Sequence, residues 1–323
     1  MNNFGTGAVK DKKDKRDYKY SDAVLAMGVE PFKWDEGYDV EVDINKTLDV
    51  KDQNGSSSCG GQAWSYYGQV LDPEHIQKSA KFIYAHTHVG TGGSGGRENS
   101  ILVKSKGWGD EILTPSYMGE LLNVPPTESF MIRKEDITLL AYSNALSDTA
   151  LSYATVNIDI DFIAQAIKEN KGCILGLTGK NNGTWQTKFP TKPNKVDNTC
   201  WNHWLYAGKA KIINGKKMIG FINSWGSDCG DKGWQWIDEE YLITPYIWSA
   251  WTLVYNFPKY KFTRTLKLGM SGEDVKELQK RLGVIQTGFF WVLTQRAVKT
   301  YQTKHGLGSD GIVGTKTLAI LNK

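Results

Sequence analysis

Cys59 lies in a segment whose composition suits a nucleophile, VKDQNGSSSCGGQAW. The residues from Cys59 onward can form a helix, so the sulfur is expected at a helix N-terminus. There the positive end of the helix dipole favours the thiolate, which is the nucleophilic form of cysteine. A buried structural thiol is the alternative for any single cysteine, but Cys59 is expected to be exposed among serines and glycines, which argues against it. Gln53 precedes Cys59 by six residues.

A thiolate nucleophile needs an imidazole partner and a group that orients the imidazole. Of the five histidines, only His203 lies at the mouth of a predicted strand in the second half of the chain; the others are His75, His86, His88 and His305. Asn223 opens the sequence NSWG. If the strands HWLYAGKAKII and KMIGFIN pair through a turn at Asn214-Gly215, His203 and Asn223 lie at the same open end of the hairpin. An asparagine oxygen there can fix the imidazole orientation.

The elements around these residues predict an α+β domain with two halves. Apolar spacing predicts early helices over 59–71, 73–88 and a stretch ending near Lys104, and a later helix over 159–170. A short apolar strand is expected at Cys173–Leu177, followed by the strands of the hairpin. Helices early and an antiparallel sheet late would place Cys59 and His203 in opposite halves.

The order Q-x5-C, N-H-W and N-S-W-G resembles the papain-like cysteine peptidases, over roughly Glu41–Pro258. The resemblance implies a two-lobed fold, with a helical lobe and an antiparallel sheet lobe. It implies that Cys59 is the nucleophile, that His203 is the general base and acid, and that Asn223 orients His203. Gln53 is similar to the family's oxyanion-hole glutamine, which acts with the backbone N–H of the nucleophile.

The same resemblance implies a set of residues on the substrate side of the cleft. Trp225 resembles the tryptophan that shields the His–Asn bond, and Gly92-Gly93 resembles the glycine stretch that pairs with substrate backbone. Asn202, which precedes His203, is also assigned to substrate binding. Many relatives have tryptophan close behind the nucleophile, whereas here two glycines follow it. Each glycine weakens a helix by about 1 kcal/mol relative to alanine, so a looser site is expected.

The C-terminal segment differs in charge from the rest of the chain. From Lys259 onward it has 12 Lys/Arg and 4 Asp/Glu, or +8, against 27 and 31, or −4, in the other 258 residues. An internal repeat places GFFWVLTQRAV against GIVGTKTLAIL, and the shared Thr294 and Thr317 could cap helices. A basic module suits an anionic partner such as cell wall, membrane surface or nucleic acid.

This segment resembles the common peptidoglycan-binding domain. The resemblance rests on the ending DGIVGTKT and on an opening pattern formed by Leu266, Gly269, Gly272, Val275, Leu278 and Gln279. It implies a small all-α domain of three helices that binds peptidoglycan and not nucleic acid. Three regions are therefore expected: an N-terminal extension (1–38), a peptidase (39–258) and a wall-binding domain (259–323). Because the extension alternates charge and is short, we expect loose packing and no resemblance to an inhibitory pro-segment.

Two substrate classes fit these motifs. Peptidoglycan stem or cross-bridge peptides fit the C-terminal domain and would make this a lytic enzyme, such as an endolysin, of phage or bacterial origin. Protein at the cell surface fits a papain-like cleft better, since such clefts read a side chain in an apolar pocket that small wall peptides supply poorly. A third hypothesis, from a different class, is a catalytically silent wall-binding or virion structural protein, against which the intact Gln53, Cys59, His203 and Asn223 set argues.

Several other features are expected from the composition. No metal or other cofactor is expected, since the four cysteines match no zinc spacing. We expect a monomer without a membrane span, acting at the bacterial cell wall or outside the cell. The first 22 residues hold no apolar region of a Sec-type signal, so lysis-dependent or non-classical export is expected. Cys200 and Cys229 could approach within disulfide range across the hairpin, but a reducing cytoplasm favours free thiols.

Overall fold

The structure is a computed structural model that describes residues 7–15, 17–27, 29–40, 50–72, 75–90, 92–117, 126–253, 261–282, 284–285 and 287–322. The chain divides into two compact units, Met1–Tyr255 and Asn256–Lys323. The predicted boundary between residues 258 and 259 lies outside the described residues. Among the described helices, none is both long and apolar enough to cross a lipid bilayer.

Helices occupy most of the early part of the first unit, as predicted. Their bounds are α1 (Tyr20–Met27), α2 (Cys59–Leu71), α3 (Ala80–Thr87), α4 (Gly96–Ser105), α5 (Glu128–Met131), α6 (Leu139–Leu146) and α7 (Ile160–Asn170). The predicted helices over 59–71 and 159–170 are confirmed. Asp159 caps α7, because its carboxylate accepts hydrogen bonds from the main-chain N–H groups of Asp161 and Phe162.

Strands dominate the second half of this unit. They are β1 (Ala8–Val9), β2 (Tyr38–Asp39), β3 (Ser94–Gly95), β4 (Ala154–Thr155), β5 (Cys173–Gly179), β6 (Trp201–Ile213), β7 (Lys216–Ile222), β8 (Trp234–Asp238) and β9 (Ile247–Thr252). One sheet has the order β4-β9-β5-β6-β7-β8, with β2 added to β6, and its pairs are antiparallel. The predicted hairpin is confirmed: Asn214 and Gly215 have φ of 51° and 76°, which suits a tight turn between β6 and β7.

An aromatic layer joins the helical half to the sheet. Trp64 of α2 contacts Trp204 of β6 edge-on, with ring centroids 5.4 Å apart, and Tyr67 contacts Tyr206 at 5.3 Å. Such pairs add about 0.5–1.5 kcal/mol each to the free energy gained by burial alone. The opposite face of the sheet is covered by α7. The α+β class and the two-lobed arrangement are therefore confirmed, and the layer fixes α2 against β6.

Helix α3 is shorter than predicted and begins at Ala80, not at residue 73. The hydroxyl of Ser79 accepts from the main-chain N–H of Phe82 and so caps the helix. Before that cap, Lys78 forms a β-bridge with Asp110, which requires extended backbone. Its buried ammonium lies 2.7–2.8 Å from carboxylates of Asp72, Asp110 and Asp148. These contacts override the helical spacing of the sequence.

The expectation of a loosely packed N-terminal extension is wrong for its described residues. Strand β1 pairs in parallel with β3, and Tyr20 of α1 is buried in the main core. Two acidic side chains provide further anchors. Asp11 accepts from the N–H groups of Gly96 and Arg97, and Asp17 accepts from the Arg97 guanidinium. The alternating charge that suggested a solvated tail instead supplies these specific contacts.

The second unit contains the three predicted helices, α8 (Glu273–Arg281), α9 (Val292–Lys304) and α10 (Thr315–Leu321). Its apolar core comprises Phe262, Leu266, Val275, Leu278, Phe290, Val298, Val313 and Leu321. The repeated threonines do not cap helices, because Trp291 and Gly314 occupy the N-cap positions of α9 and α10. Thr294 and Thr317 instead accept from the amides of Gln279 and Gln302.

The Gln–Thr bonds explain the sequence repeat. Gln279 also donates to the carbonyl of Phe289 and accepts from the N–H of Gly288. Gln302 makes the equivalent pair of bonds 23 residues later, with Ile312 and Gly311. Each half of the module therefore uses one buried glutamine to hold the loop before its helix.

Candidate active site

Cys59 is the first residue of α2, as predicted. The expectation that Cys59 is exposed is wrong, because its side chain is fully buried by the chain around it. The N-cap residue Ser58 makes no side-chain capping bond. The sulfur instead faces main-chain N–H groups of Gly60, Trp204 and Gly7. These donors and the helix N-terminus stabilise negative charge on the sulfur.

His203 and Asn223 form the pair that the hairpin predicts. His203 Nε2 lies 3.0 Å from Asn223 Oδ1. Because that oxygen can only accept, Nε2 carries the proton of the neutral imidazole. The other ring nitrogen, Nδ1, is buried and has no hydrogen-bond partner among the described residues. This tautomer leaves Nδ1 able to accept a proton.

Gln235 of β8 fixes the orientation of Asn223. Its Nε2 donates at 2.8 Å to two main-chain carbonyls, those of Trp185 and Thr187, which only the nitrogen of an amide can do. Its Oε1 must therefore face Asn223 and accepts from Nδ2 at 2.8 Å. Asn223 Oδ1 is in turn held towards His203, and the N–H of Ser224 also donates to it. Sequence analysis missed Gln235, although a polar residue within the aromatic strand WQWID was a signal.

Trp225 covers the histidine. Its ring lies 4.9 Å from the imidazole, centroid to centroid, at an angle of 32°. Trp185 and Trp201 contact Trp225 edge-on. The His203–Asn223 bond is therefore enclosed by indole rings, which keep water away from it.

The loop before α2 is bonded to the segment that follows Asn223. Gln53 is buried, its main-chain N–H donates to the carbonyl of Ser224, and its Oε1 accepts from the Ser224 hydroxyl at 2.5 Å. Its Nε2 donates one hydrogen to the carbonyl of Ser56 and carries a second. These bonds hold the loop that carries Gln53 beside Asn223, which follows the end of β7.

The two glycines after the nucleophile do not loosen the site. A Cβ on Gly60 would lie 2.2 Å from the hydroxyl of Ser94, and a Cβ on Gly61 would lie 2.5 Å from the carbonyl of Ala80. Both residues are buried in α2. The glycines are therefore required by close packing, and the expected loose helix start is wrong.

The N-terminal segment crosses the site directly above the nucleophile. The Gly7 carbonyl accepts from the N–H of Ser94 at 2.9 Å, and Ala8 then pairs with Ser94 and Val9 with Gly95. A Cβ on Gly7 would lie only 2.1 Å from the main-chain oxygen of Ser57. Only glycine fits at this position in the described conformation.

Burial determines the charge state of the site. Burial raises the pKa of the Cys59 thiol to about 12, despite the surrounding N–H groups, which lower it. Burial also lowers the pKa of His203 to about 4, and the bond to Asn223 offsets this only in part. The covered site therefore holds a neutral thiol and a neutral imidazole, whereas sequence analysis expected a thiolate.

The remaining predicted residues lie around this centre. Gly92 and Gly93 have φ of 120° and 87° and precede the strand that pairs with β1, so the pairing itself begins at Ser94. Asn202 is half-buried beside His203 on β6, and its Oδ1 accepts from the hydroxyl of Thr178. Roles for these three residues in substrate binding remain predictions.

All four cysteines are free thiols. Cys229 is buried, with its sulfur 3.4 Å from the carbonyl of Trp185, whereas Cys200 is partly exposed and contacts the carbonyl of Lys195. The two sulfurs have different partners and no disulfide joins the hairpin ends.

The second unit has a separate groove of about 320 Å³ beside Gln279. Its lining includes Ile285, Phe289, Trp291 and Leu293. These four side chains are between 52% and 77% exposed, which is unusual for a cluster of large apolar residues. The equivalent positions of the second repeat hold Ile312, Gly314 and smaller or charged residues, so the two halves of the module differ here.

Comparison with known proteins assigns both units. Residues 271–321 match the family model of the putative peptidoglycan binding domain. No curated protein matches the chain.

Solved structures resemble the larger unit. Xylellain, a cysteine protease from Xylella fastidiosa, has a TM-score of 0.61 and 20% identity, with 78% of this chain and 96% of that chain covered. ProCathepsin B S9 from Trypanosoma congolense has a TM-score of 0.56 and 13% identity, with coverage of 77% and 86%. The Amb a 11 cysteine protease of ragweed pollen, in its proform, has a TM-score of 0.51 and 18% identity, with 74% of each chain covered.

The larger unit thus has the papain-like fold, with helices and an antiparallel sheet on either side of Cys59. The smaller unit carries the peptidoglycan binding domain at the C-terminus. The resemblances inferred from the sequence motifs are confirmed at the level of fold and domain family.

Proposed function

We propose that this protein is a cysteine endopeptidase that is directed to the bacterial cell wall and hydrolyses peptide bonds of peptidoglycan. Residues 39–258 would form the peptidase, residues 259–323 the wall-binding domain, and residues 1–38 an extension that covers the cleft. The observation that carries the proposal is the bond of His203 Nε2 to Asn223, which leaves Nδ1 without a hydrogen-bond partner among the residues that the structure describes.

The chemistry follows from this arrangement. Nδ1 of His203 takes the proton of the Cys59 thiol, and the sulfur attacks the carbonyl carbon of the scissile bond. The oxyanion that forms would accept from the main-chain N–H of Cys59 and from the second Nε2 hydrogen of Gln53. His203 then returns its proton to the leaving amine, which breaks the C–N bond and leaves a thioester on Cys59. Water, deprotonated by His203, hydrolyses the thioester and regenerates the thiol.

The described conformation is a latent form of this enzyme. Gly7 and Ala8 occupy the edge of β3 and cover the sulfur, so a substrate must displace them. Displacement would let water reach the cleft and would reduce the burial that keeps Cys59 and His203 neutral. A thiolate–imidazolium pair is then the expected resting form.

Wall attachment is assigned to the second unit. Its apolar groove offers a surface for a neutral ligand, and the charge of +8 from Lys259 onward attracts anionic wall polymers. Tethering raises the concentration of the peptidase at the wall without any new contact in its cleft.

Labelling with a cysteine-directed epoxide tests the catalytic assignment. We expect one equivalent of label on Cys59, found by mass spectrometry of tryptic peptides, and loss of labelling and of hydrolysis in Cys59→Ala. The variant should still bind wall, since binding is assigned to the other unit. A protein that is not labelled and cleaves nothing would be the catalytically silent wall-binding protein instead.

A further inference from the structure

We infer that Trp204 restricts the cleft to peptides with glycine or alanine at the position opposite Ser94. This inference rests on the proposed peptidase function, and it names the class of peptide that the site accepts.

The indole of Trp204 lies directly behind the edge strand of the cleft. Its Nε1 donates to the main-chain carbonyl of Ser94 at 2.9 Å, and the side chain is only 1% exposed. Its main-chain N–H faces the sulfur of Cys59. One residue therefore connects the nucleophile with the strand on which a peptide backbone pairs.

The indole fills the space in which a larger side chain would lie. A Cβ on Gly96 or on Gly176 would come within 2.7 Å of Trp204 ring atoms, and a Cβ on Gly60 would lie 3.5 Å from its Cδ1. Trp64 and Trp248 contact the ring edge-on at 5.4 and 4.8 Å. Gly96, Gly176 and the two rings hold the indole, so it has no room to move aside.

The segment that occupies the cleft shows what fits against this wall. Ala8 pairs with Ser94, and the side chains of directly paired residues lie on the same face of a sheet, whichever way the strands run. Its methyl group is buried in the cluster that contains Cys59, Trp64 and Trp204. A substrate residue opposite Ser94 would direct its side chain to the same place.

Space for larger groups lies further along the segment. A cavity of about 680 Å³ is lined by Asp11, Arg97, Trp248 and Trp251, among others, and neither Ala8 nor Trp204 contributes to it. The ammonium of Lys10, two residues after Ala8, lies 5.5 Å from the Trp248 ring. The restriction to small side chains is therefore local to the position opposite Ser94.

Cleavage of a positional peptide library by the full chain tests this inference. Competition from the N-terminal segment lowers kcat/KM for every peptide by the same factor, so ratios between peptides are unaffected. We expect one position at which kcat/KM is at least about tenfold higher for alanine or glycine than for leucine or phenylalanine. This is the smallest ratio expected when a closed apolar pocket selects side chains by size. In Trp204→Ala that preference should vanish or reverse at this position alone. Trp34→Ala, whose indole instead donates to Asp161 at the start of α7, should leave it unchanged.

The outcomes separate this inference from the function on which it rests. If peptides are cleaved but leucine or phenylalanine is accepted as well as alanine at every position, Trp204 does not set specificity. An unchanged profile in a folded Trp204→Ala would also overturn the inference. If that variant does not fold, the wild-type profile decides alone. Absence of both cleavage and Cys59 labelling would overturn the proposed function and this inference with it.

Discussion

Replacing Gly7 with alanine is expected to release the N-terminal segment and to raise activity. The added Cβ would lie 2.1 Å from the main-chain oxygen of Ser57, about 1 Å closer than a carbon and an oxygen can approach, so the segment cannot keep its place. Overpacking of this kind costs about 1–3 kcal/mol. Since about 1.4 kcal/mol is a factor of ten, the uncovered fraction should rise about 5- to 150-fold.

The assay is the second-order rate constant for labelling of Cys59 by an epoxide, together with kcat/KM on a soluble peptide. Both should rise by the same factor in Gly7→Ala, because both require an uncovered sulfur. Val9→Ala is the matched control: Val9 is exposed on the same short strand, and its truncation should change either value by less than about twofold. A folded Gly7→Ala protein that reacts no faster than wild type would refute the covering role of the segment.

Three further perturbations address other parts of the account. Gln235→Met removes the oxygen that accepts from Asn223 and the amide N–H groups that bond two carbonyls. We expect the free energy of unfolding to fall by about 2 kcal/mol, and nitrogen NMR spectra to show a mixture of His203 tautomers. A single Nε2–H tautomer with normal kcat would exclude this positioning role. Because burial raises the pKa of Cys59 to about 12, alkylation of the intact chain should still be rising above about pH 9, whereas Gly7→Ala should reach its plateau at lower pH; coincident profiles would argue against burial as the cause. Trp291→Ala should weaken binding to purified walls at least about tenfold, and removal of Thr265–Lys323 should lower activity on walls far more than on a soluble peptide; equal losses on both substrates would mean that the domain supports folding only. Leu268→Ala, which is also exposed but lies outside the groove, is the control for Trp291→Ala.

The sequence was sufficient to predict the fold because its local signals agree with one another. The helix at Cys59 and the hairpin at Asn214-Gly215 place Cys59 and His203 in different halves, and aromatic packing between α2 and β6 brings these halves together. His203 and Asn223 meet because they lie at the same end of one hairpin. Local spacing was thus enough to predict their pairing.

The features that sequence analysis missed depend on contacts between distant residues. Gln235 orients Asn223 only because the carbonyls of Trp185 and Thr187 fix its amide. Trp204 takes its place only because Gly96 and Gly176, from separate elements, leave it room. The position of Gly7 over Cys59 likewise depends on pairing between residues far apart in sequence. The spacing of apolar residues along the sequence does not indicate contacts of this kind.

The filled pocket also bears on the choice between substrates. An apolar pocket was the argument for protein as substrate, since wall peptides offer few large side chains. Because Trp204 is inferred to fill that space, the cleft offers protein no advantage over peptidoglycan as the substrate.

Parallel digestion of purified peptidoglycan and of a denatured protein tests most directly whether this protein cleaves peptidoglycan peptides with Cys59 as its nucleophile. Wild type, Gly7→Ala and Cys59→Ala would each be incubated with both substrates, and the products would be analysed by mass spectrometry. We predict new amino and carboxyl ends at peptide bonds of peptidoglycan next to glycine or alanine, more of them with Gly7→Ala, none with Cys59→Ala, and slower cleavage of the protein. Cleavage of the protein alone, or peptidoglycan products that persist in Cys59→Ala, would contradict the account.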